Sequence, residues 1–241
     1  MATVKQHYDE VLSDVYSWMF GGFDIGIQRN VEFFDERQLT PKNSGIAVDL
    51  GAGCGFQSIP LAKAGYSVTA IDLDPKLLGE LKNNAENLPI NTIQANLVDF
   101  ENVVESGVEL IVCMTDTILH LESREQVISL FEKVYKTLEP KGIFILTYRD
   151  LTNELKELDR FMPVKSDENI IFTCFLEYEV ETVKVYDVVY KKLPGEWKLY
   201  KGFYRKLRLS KDWIDRKLSD SGFSNIDSKV ENGLVTVVAT K

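Results

Sequence analysis

The chain has 241 residues and a formal net charge of -9. Hydrophobic residues make up 44% and charged residues 27% of it, which is ordinary for a globular protein and enough to bury a sizeable core. The acidic balance argues against nucleic-acid binding, and no apolar run approaches the length that spans a bilayer.

The cysteines are few and scattered. Cys54, Cys113 and Cys174 form no CxxC pair, and the chain has two histidines, so neither zinc nor another metal is expected. The first twenty residues lack a basic start followed by an apolar stretch, which is the pattern of a secretory signal. These features predict a cytoplasmic, reduced protein without membrane or nucleic-acid partners.

The residues before the first predicted strand are expected to form a helical N-terminal cap over residues 1–45. Apolar residues at helical spacing predict one helix, which Gly21-Gly22 ends. A second helix is expected over Ile27–Leu39, before a turn at residues 41–45. The spaced apolar residues of the first helix are Tyr8, Val11, Leu12, Val15, Trp18 and Met19.

Strands and helices then alternate over residues 46–150, the predicted cofactor-binding core. Such alternation predicts a parallel sheet with helices on both faces. Asp74 and Pro75 are suited to the N-cap and first position of one of these helices. The predicted strands are Ile46–Leu50, Ser67–Ile71, Asn91–Ala95, Glu109–Met114 and Ile143–Tyr148, and two of the predicted helices are Cys54–Ala64 and Ser123–Leu138.

The pattern changes after the fifth strand. Residues 169–209 show several strands with turn residues between them, which predicts an antiparallel meander of about three strands within an insertion over residues 151–209. The core is expected to resume over residues 210–241. Its predicted elements are a helix, Lys211–Asp220, and a closing hairpin of Asn225–Lys229 and Leu234–Thr240.

The most informative segment covers residues 46–74 and reads IAVDLGAGCGFQSIPLAKAGYSVTAIDLD. Three glycines at alternate positions follow the first strand, and Asp72 ends the second. Parallel strands end at the same edge of a sheet, so the turn and Asp72 should lie together in a nucleotide-type cofactor site. The dinucleotide fingerprint is G-x-G-x-x-G, but position 56 is Phe56, so the spacing here is G-x-G-x-G.

This motif, led by Asp49, resembles motif I of the class I S-adenosylmethionine-dependent methyltransferases, and Asp72 resembles the ribose-binding acid that follows it. The resemblance runs from about Ile46 to Lys241. It implies a seven-stranded Rossmann-like sheet flanked by helices, with the antiparallel β meander inserted over the acceptor pocket. It also implies S-adenosyl-L-methionine as cofactor and methyl transfer to a small-molecule acceptor by direct displacement.

The same resemblance suggests the cofactor contacts. Asp49 and the glycine turn would line the methionine and ribose side, Asp72 would hold the ribose, and Leu73 would pack near the adenine. Asn96 stands where relatives commonly place an acid near the adenine amino group, or it is only a turn residue. The full expected set is Tyr16, Trp18, Asp49, Gly51, Ala52, Gly53, Gly55, Asp72, Leu73, Asn96, Met114 and Thr115.

Acceptor chemistry is expected after the fourth strand and in the insertion. Asp116 would orient the cofactor or an acceptor amine, or it caps a turn. His120 would act as a general base, or it is a packed loop residue. Tyr204 completes the expected catalytic set, in a basic segment from Lys198 to Lys211 that suits either an anionic acceptor or an exposed strand edge.

Two other functions fit the glycine segment. A NAD-dependent oxidoreductase is disfavoured by Phe56 and by the N-terminal extension. A non-catalytic cofactor-binding protein would use the insertion to contact a partner, and cofactor turnover would distinguish it from an enzyme. The sequence leaves open the accepting atom, and it fits either a monomer or a homodimer.

Overall fold

The computed structural model describes residues 4–241, so Met1–Thr3 of the predicted N-terminal cap lie outside the described residues. The strands form a seven-stranded sheet, sheet A, and a four-stranded sheet, sheet B. Sheet A contains β1 (Ile46–Leu50), β2 (Ser67–Asp72), β3 (Ile90–Gln94), β4 (Val108–Cys113), β5 (Leu138–Arg149), β10 (Ser224–Glu231) and β11 (Leu234–Thr240). Sheet B contains β6 (Phe161–Ser166), β7 (Ile170–Tyr178), β8 (Thr182–Leu193) and β9 (Glu196–Leu207).

The strand order of sheet A is β10-β11-β5-β4-β1-β2-β3. Strands β1 to β5 are parallel, whereas β11 runs antiparallel to β5 and to β10. The chain order reverses between β1 and β4, which is the position where open α/β sheets bind ligands beyond the carboxyl ends of their strands. This topology confirms the predicted seven-stranded Rossmann-like sheet.

Helices cover both faces of sheet A. The face that carries Val48 and Ile111 packs against α6 and α7, whose bounds are Arg124–Thr137 and Lys211–Asp220. The face that carries Ala47 packs against α3 (Phe23–Glu36) and α4 (Ser58–Lys63). The remaining helices are α1 (Val4–His7), α2 (Tyr16–Met19) and α5 (Pro75–Ala85). Within residues 4–241, no helix is both long and apolar enough to cross a membrane.

The helix after the glycine turn is shorter than the predicted Cys54–Ala64. It begins at Ser58, because residues 51–57 form successive turns. Gly51, Gly53 and Gly55 all have positive φ angles, between 53° and 96°, and such angles do not continue a right-handed helix. The turn therefore presents its own backbone to the ligand edge of the sheet, and the helix starts further away.

Sheet B is the predicted antiparallel insertion, and it has one more strand, β6, than expected. Its inner face carries Cys174, Val185 and Tyr204, which pack against Val11 and Val15. These two residues belong to the N-terminal segment, defined here as residues 4–22. The outer face carries the alternate residues of each strand. The N-terminal segment thus fills the space between sheet B and the ligand edge of sheet A.

The N-terminal segment is not the single helix that its apolar spacing predicts. A π-helical turn, Tyr8–Leu12, and a 3₁₀ turn, Ser13–Val15, separate α1 from α2. The Ser13 hydroxyl donates a hydrogen bond to the Tyr8 carbonyl at 2.9 Å, an interaction that competes with regular helical bonding. Changes of helical pitch alter which way the side chains face, and π-helical turns are frequent at functional sites.

Candidate active site

A pocket lies between the carboxyl edge of sheet A and the N-terminal segment. Its empty space, counted together with its open mouth, is about 660 Å³. The glycine turn and the end of β2 form one side, called here the cofactor wall. The N-terminal segment and the 3₁₀ helix Thr117–His120 form the other side, called the acceptor wall.

Close packing explains two of the glycines in the cofactor wall. A Cβ atom added to Gly51 would lie 2.3 Å from the Thr117 Cγ2 atom, and one added to Gly55 would lie 2.3 Å from the Leu81 Cδ1 atom. Gly53 is different, because the nearest atom to its added Cβ belongs to Tyr16 at 3.7 Å. The turn is therefore tightly packed beneath Gly51 and Gly55 and more open at Gly53, towards the pocket.

Asp72 is anchored by the turn that it faces. Its Oδ2 atom accepts a hydrogen bond from the Gly53 amide and its Oδ1 atom accepts one from the Asp74 amide, both at 2.8 Å. Burial raises the pKa of Asp72, and these amide bonds oppose that rise. A carboxylate oxygen has more than one acceptor site, so Asp72 can still accept hydrogen bonds from a ligand in the pocket.

Asp49 lies behind the cofactor wall rather than in the pocket. It is buried, its Oδ2 atom accepts a hydrogen bond from the Ser58 hydroxyl at 2.6 Å, and its Oδ1 atom has no partner within the described residues. Burial raises its pKa to about 7. A buried acid with one unsatisfied oxygen is costly to ionise, so Asp49 is a neutral or partly neutral group at physiological pH.

The N-terminal segment contributes Lys5, Tyr8 and Tyr16 to the pocket. The Ser13 hydroxyl ties it to the core, because its single proton is shared between the Tyr8 carbonyl and the Asp74 carboxylate. Other Asp74 bonds cap α5. Burial raises the pKa of both tyrosines, and nearby carboxylates raise that of Tyr8 further. Both side chains are therefore neutral phenols that can donate hydrogen bonds at any physiological pH.

His120 is a neutral member of the acceptor wall. Burial, together with the charge of Lys206, lowers its pKa to about 3. Its ring packs edge-on against Tyr8, with 5.9 Å between centroids, and lies 5.3 Å from the Tyr204 ring. Its Nδ1 atom is buried and has no hydrogen-bond partner among the described residues. The imidazole thus has an unused polar atom in a largely aromatic setting.

Asp116 is held by cations and does not line the pocket. Its backbone is left-handed, with a φ of 68°. Its carboxylate accepts hydrogen bonds from the Arg149 amide at 2.6 Å, the Arg149 guanidinium at 2.9 Å and the Lys206 ammonium at 2.7 Å. Burial alone would raise its pKa, but Lys206 and Arg149 lower it far below its usual range. Asp116 therefore links β5 to β9.

Comparisons with known proteins agree with this geometry. A family model described as a methyltransferase domain matches residues 47–142, from β1 to the start of β5. A protein of Geobacillus sp. (strain WCH70), named as a methyltransferase, is 22% identical over 187 residues, which cover 75% of this chain and 74% of that one. Residues 47–142 therefore match a methyltransferase domain, and the matches together support a class I S-adenosylmethionine-dependent methyltransferase.

Two further proteins show how far the likeness extends across this methyltransferase. A glycine/sarcosine N-methyltransferase of Aphanothece halophytica is 24% identical over 200 residues, covering 81% of this chain and 72% of that one. The crystal structure of an S-adenosylmethionine-dependent methyltransferase from Clostridium acetobutylicum ATCC 824 matches with a TM-score of 0.74 and 18% identity. That match covers 97% of this chain and 95% of the other, so the shared fold includes sheet B.

The structure brings seven of the expected site residues of this methyltransferase to the pocket. They are Tyr16, Gly51, Gly53, Asp72, Leu73, Thr115 and His120.

The others lie outside the pocket lining. Trp18 donates its indole N–H to Asp167 at the margin of sheet B, and Asn96 caps the following 3₁₀ turn by accepting from the Val98 amide. Met114 is buried in the core, while Ala52 and Gly55 pack beneath the turn, as Asp49 does.

Tyr204 lies behind the acceptor wall. It is buried on the inner face of sheet B, with its ring 4.8 Å from that of His7 and 6.5 Å from that of Tyr8. His7 in turn forms a buried hydrogen bond of 2.8 Å with Asp187. Tyr204 thus supports the rings of the acceptor wall, and the structure does not bring it to the pocket surface together with His120.

The basic segment is largely committed to ion pairs. Lys206 binds Asp116, Arg205 binds Glu179 and Arg208 donates to the carbonyl oxygens of Leu151, Thr152 and Glu179. These contacts brace the insertion against the loop that enters it. They account for the cations at positions 205, 206 and 208 without an anionic ligand.

Sequence reasoning missed several residues that line the pocket. Asp74 was expected only as a helix cap, and it serves as that cap while also facing the pocket. Thr117 was missed although it contacts the Gly51 position, because its side chain reaches the turn from a loop 66 residues away. Additional lining residues outside the expected set are Val4, Lys5, Ile71, Leu77, Ala95 and Leu97.

Proposed function

We propose that this methyltransferase binds S-adenosyl-L-methionine on the cofactor wall and methylates a small-molecule acceptor held on the acceptor wall. The arrangement of Asp72 beside the open Gly53 position carries the proposal. An acid at this place accepts hydrogen bonds from ribose hydroxyls, and the absence of a side chain at Gly53 leaves space for the ligand to approach the backbone. Nothing in the structure or the comparisons favours the NAD-dependent alternative.

The charges of the described pocket residues suit a cationic cofactor. Asp72 and Asp74 line the pocket together with Lys5. When bound, S-adenosylmethionine supplies a methyl group on a positively charged sulfur that is already a good leaving group. The protein then needs to exclude water, align the acceptor and accommodate its proton.

His120 is the residue best suited to orient the acceptor. Its imidazole lines the pocket, and a neutral imidazole has one nitrogen that can accept a hydrogen bond from an acceptor N–H or O–H group, which directs the lone pair of the acceptor atom towards the methyl group. With a pKa of about 3, it is a weak base, so we assign it orientation rather than full proton removal. Tyr8 and Tyr16 exclude water from the same space.

An amine is the favoured acceptor class. The similarity to a glycine/sarcosine N-methyltransferase supports this choice, as does the excess of carboxylates near the pocket, which stabilises a protonated amine as it enters. An amine must lose one proton before its nitrogen lone pair can form the new C–N bond. The buried, unpaired state of all three cysteines fits a reducing compartment, and a cytoplasmic location stays a prediction.

Isothermal titration calorimetry tests the cofactor assignment. We expect binding of S-adenosylmethionine and of its demethylated product, and no binding of NAD. Asp72→Asn should weaken cofactor binding by roughly 1.5–3 kcal/mol, the range for hydrogen bonds to charged groups. Asp220→Asn, at the end of α7 and far from the pocket, is the matched control and should leave the affinity unchanged. Binding of NAD alone would refute the proposal.

A metabolite screen tests turnover. The protein is incubated with a small-molecule extract and with cofactor labelled in its methyl group, and products are sought by mass spectrometry. We expect label in an amine-containing product. Cofactor binding without any labelled product would favour the non-catalytic alternative, while label in a hydroxyl or thiol compound would correct the acceptor class.

A further inference from the structure

The outer face of sheet B has an aromatic row that no function above explains. Phe161, Phe175, Tyr186 and Phe203 lie opposite one another across all four strands. Their neighbouring rings are 4.6, 5.9 and 5.3 Å apart between centroids. A second apolar row, Ile171, Tyr190 and Leu199, crosses β7, β8 and β9. Two rows of large apolar side chains thus lie on one face, with Thr173, Val188 and Lys201 in the row between them.

This face is exposed, in contrast to the inner face. The N-terminal segment packs on the inner face, whereas on the outer face the Arg160 guanidinium lies over the Phe175 ring at one margin. Phe161 is 55% exposed, and Ile171, Tyr190 and Leu199 are each 39–41% exposed. Large apolar side chains exposed together on one face of a globular protein are typical of an interaction surface.

We infer that this outer face is the interface of a homodimer, in which two copies pack face to face about a two-fold axis. The dimensions support a second copy as the occupant. Strands β8 and β9 have 12 residues each, so the face is about 40 Å long and about 15 Å wide. Length times width gives a flat area of about 600 Å², and protruding side chains add accessible surface to it. This area approaches the ~800 Å² that each partner buries in a standard interface.

The distribution of charge also fits a face-to-face dimer. Beyond the aromatic row, Lys184 pairs with Glu177 and Arg205 pairs with Glu179, so this end of the face has charged groups around an apolar centre. An apolar core with a polar rim is the usual anatomy of an interface. The edge strand β9 carries Lys198 and Lys201, and lysines on an edge strand discourage pairing through that edge. Since pairing through the edge is discouraged, two copies would associate through the face. Two antiparallel sheets can pack face to face with their strands aligned.

The inference is independent of the proposed function, because the acceptor wall uses the inner face. Size-exclusion chromatography with light scattering tests it on the full chain. At about 100 µM, well above a micromolar dissociation constant, the wild type should have twice the monomer mass of 27.5 kDa. A monomer at every concentration would overturn the inference. It would do so even if the face proved to bind a different protein.

Variants locate the interface. Ile171→Glu and Leu199→Glu should each weaken the dimer by about thirtyfold or more, as expected for a charge or a lost anchor at an interface centre. Val230→Glu is the matched control, since Val230 is 52% exposed on the edge strand β10 of sheet A, and it should leave the dimer intact. Circular dichroism and cofactor titration establish that each variant is folded.

Milder variants cover the case in which a glutamate prevents folding. Ile171→Thr and Leu199→Thr keep strand propensity while removing apolar contact, and each should weaken the dimer by several fold. The inference would be overturned if both threonine variants dimerised with the same dissociation constant as the wild type and Val230→Glu. The interface would then lie elsewhere.

Discussion

The two walls of the pocket are built in different ways. The cofactor wall comes from one short segment, residues 49–74, and uses backbone amides and a carboxylate that the same turn anchors. The acceptor wall combines the N-terminal segment with the 3₁₀ helix Thr117–His120 and is supported from behind by Tyr204. One wall is specified locally, whereas the other depends on contacts between distant parts of the chain.

The walls also differ in how their titratable groups are stabilised. Behind the cofactor wall, Asp49 has a single hydrogen-bond donor, Ser58, and its pKa rises to about 7. Beside the acceptor wall, Asp116 has three donors and stays ionised. At neutral pH Asp116 is thus ionised and Asp49 only partly so, because cations reach only one of these two buried aspartates. A buried acid can be assigned a charge only once its partners are known.

The largest expected effect concerns Asp49. Its ordinary pKa is 3.8 and its folded value is about 7, so between these pH values the unfolded chain loses a proton that the folded protein keeps. Stability therefore falls as pH rises. Because each pKa unit corresponds to about 1.4 kcal/mol, the loss is about 4 kcal/mol in total. Asp49→Asn should lack this part of the pH dependence.

Urea unfolding of the ligand-free protein at several pH values measures the difference between the wild type and Asp49→Asn. All other titrating groups are shared, so subtraction isolates Asp49. If the two stability profiles are parallel between about pH 4 and pH 7, then Asp49 is not a raised acid, and the contrast with Asp116 is wrong.

The next effect concerns the packing of the cofactor wall. Gly51→Ala combines a positive φ with a contact of 2.3 Å to Thr117, and it should destabilise the fold by about 3 kcal/mol and weaken cofactor binding. Gly53→Ala has the same kind of backbone strain without that contact, so it should cost only about 1 kcal/mol. Urea unfolding and calorimetry measure both effects. Equal losses of stability would show that the contact with Thr117 is unimportant.

The smallest effect concerns the acceptor wall. His120→Phe keeps an aromatic ring but removes the imidazole nitrogens, and it should lower turnover about tenfold, or about 1.4 kcal/mol, with little change in cofactor affinity. Tyr204→Phe is the control and should change turnover less, since Tyr204 lies behind the wall. Because the pKa of His120 is about 3, its ionisation should not shape the pH–rate profile near neutrality. A wild-type rate for His120→Phe would make His120 a packing residue.

Much of sheet A could be predicted because its determinants are local. The apolar runs mark β1 and β2, and the spacing of Gly51, Gly53 and Gly55 identifies the turn between β1 and α4. The helix start was misplaced because the same glycines take positive φ angles and extend the turn to residue 57. The motif therefore identified the site more accurately than it identified the neighbouring helix.

The acceptor wall was harder to predict because its partners are far apart in sequence. Asp116 was expected to touch a ligand, but Lys206, which lies 90 positions further along the chain, binds its carboxylate. The changes of helical pitch in the N-terminal segment, which was predicted as one regular helix, were also not foreseen. The hydrogen bond from Ser13 to the Tyr8 carbonyl cannot be inferred from the spacing of apolar residues. Burial and pairing over such distances follow from the complete fold.

The bond between His7 and Asp187 joins residues that are 180 positions apart, and this has a consequence for synthesis of the protein. Chains are made from the N-terminus, and contacts of long sequence separation form late in folding. All residues of the cofactor wall, and Thr117 that packs against Gly51, are made well before β8 and β9. The N-terminal segment, made first, has to wait for β8 and β9 before its apolar residues are covered. Until then the nascent chain exposes Val11 and Val15, and this interval is when it is most prone to aggregate.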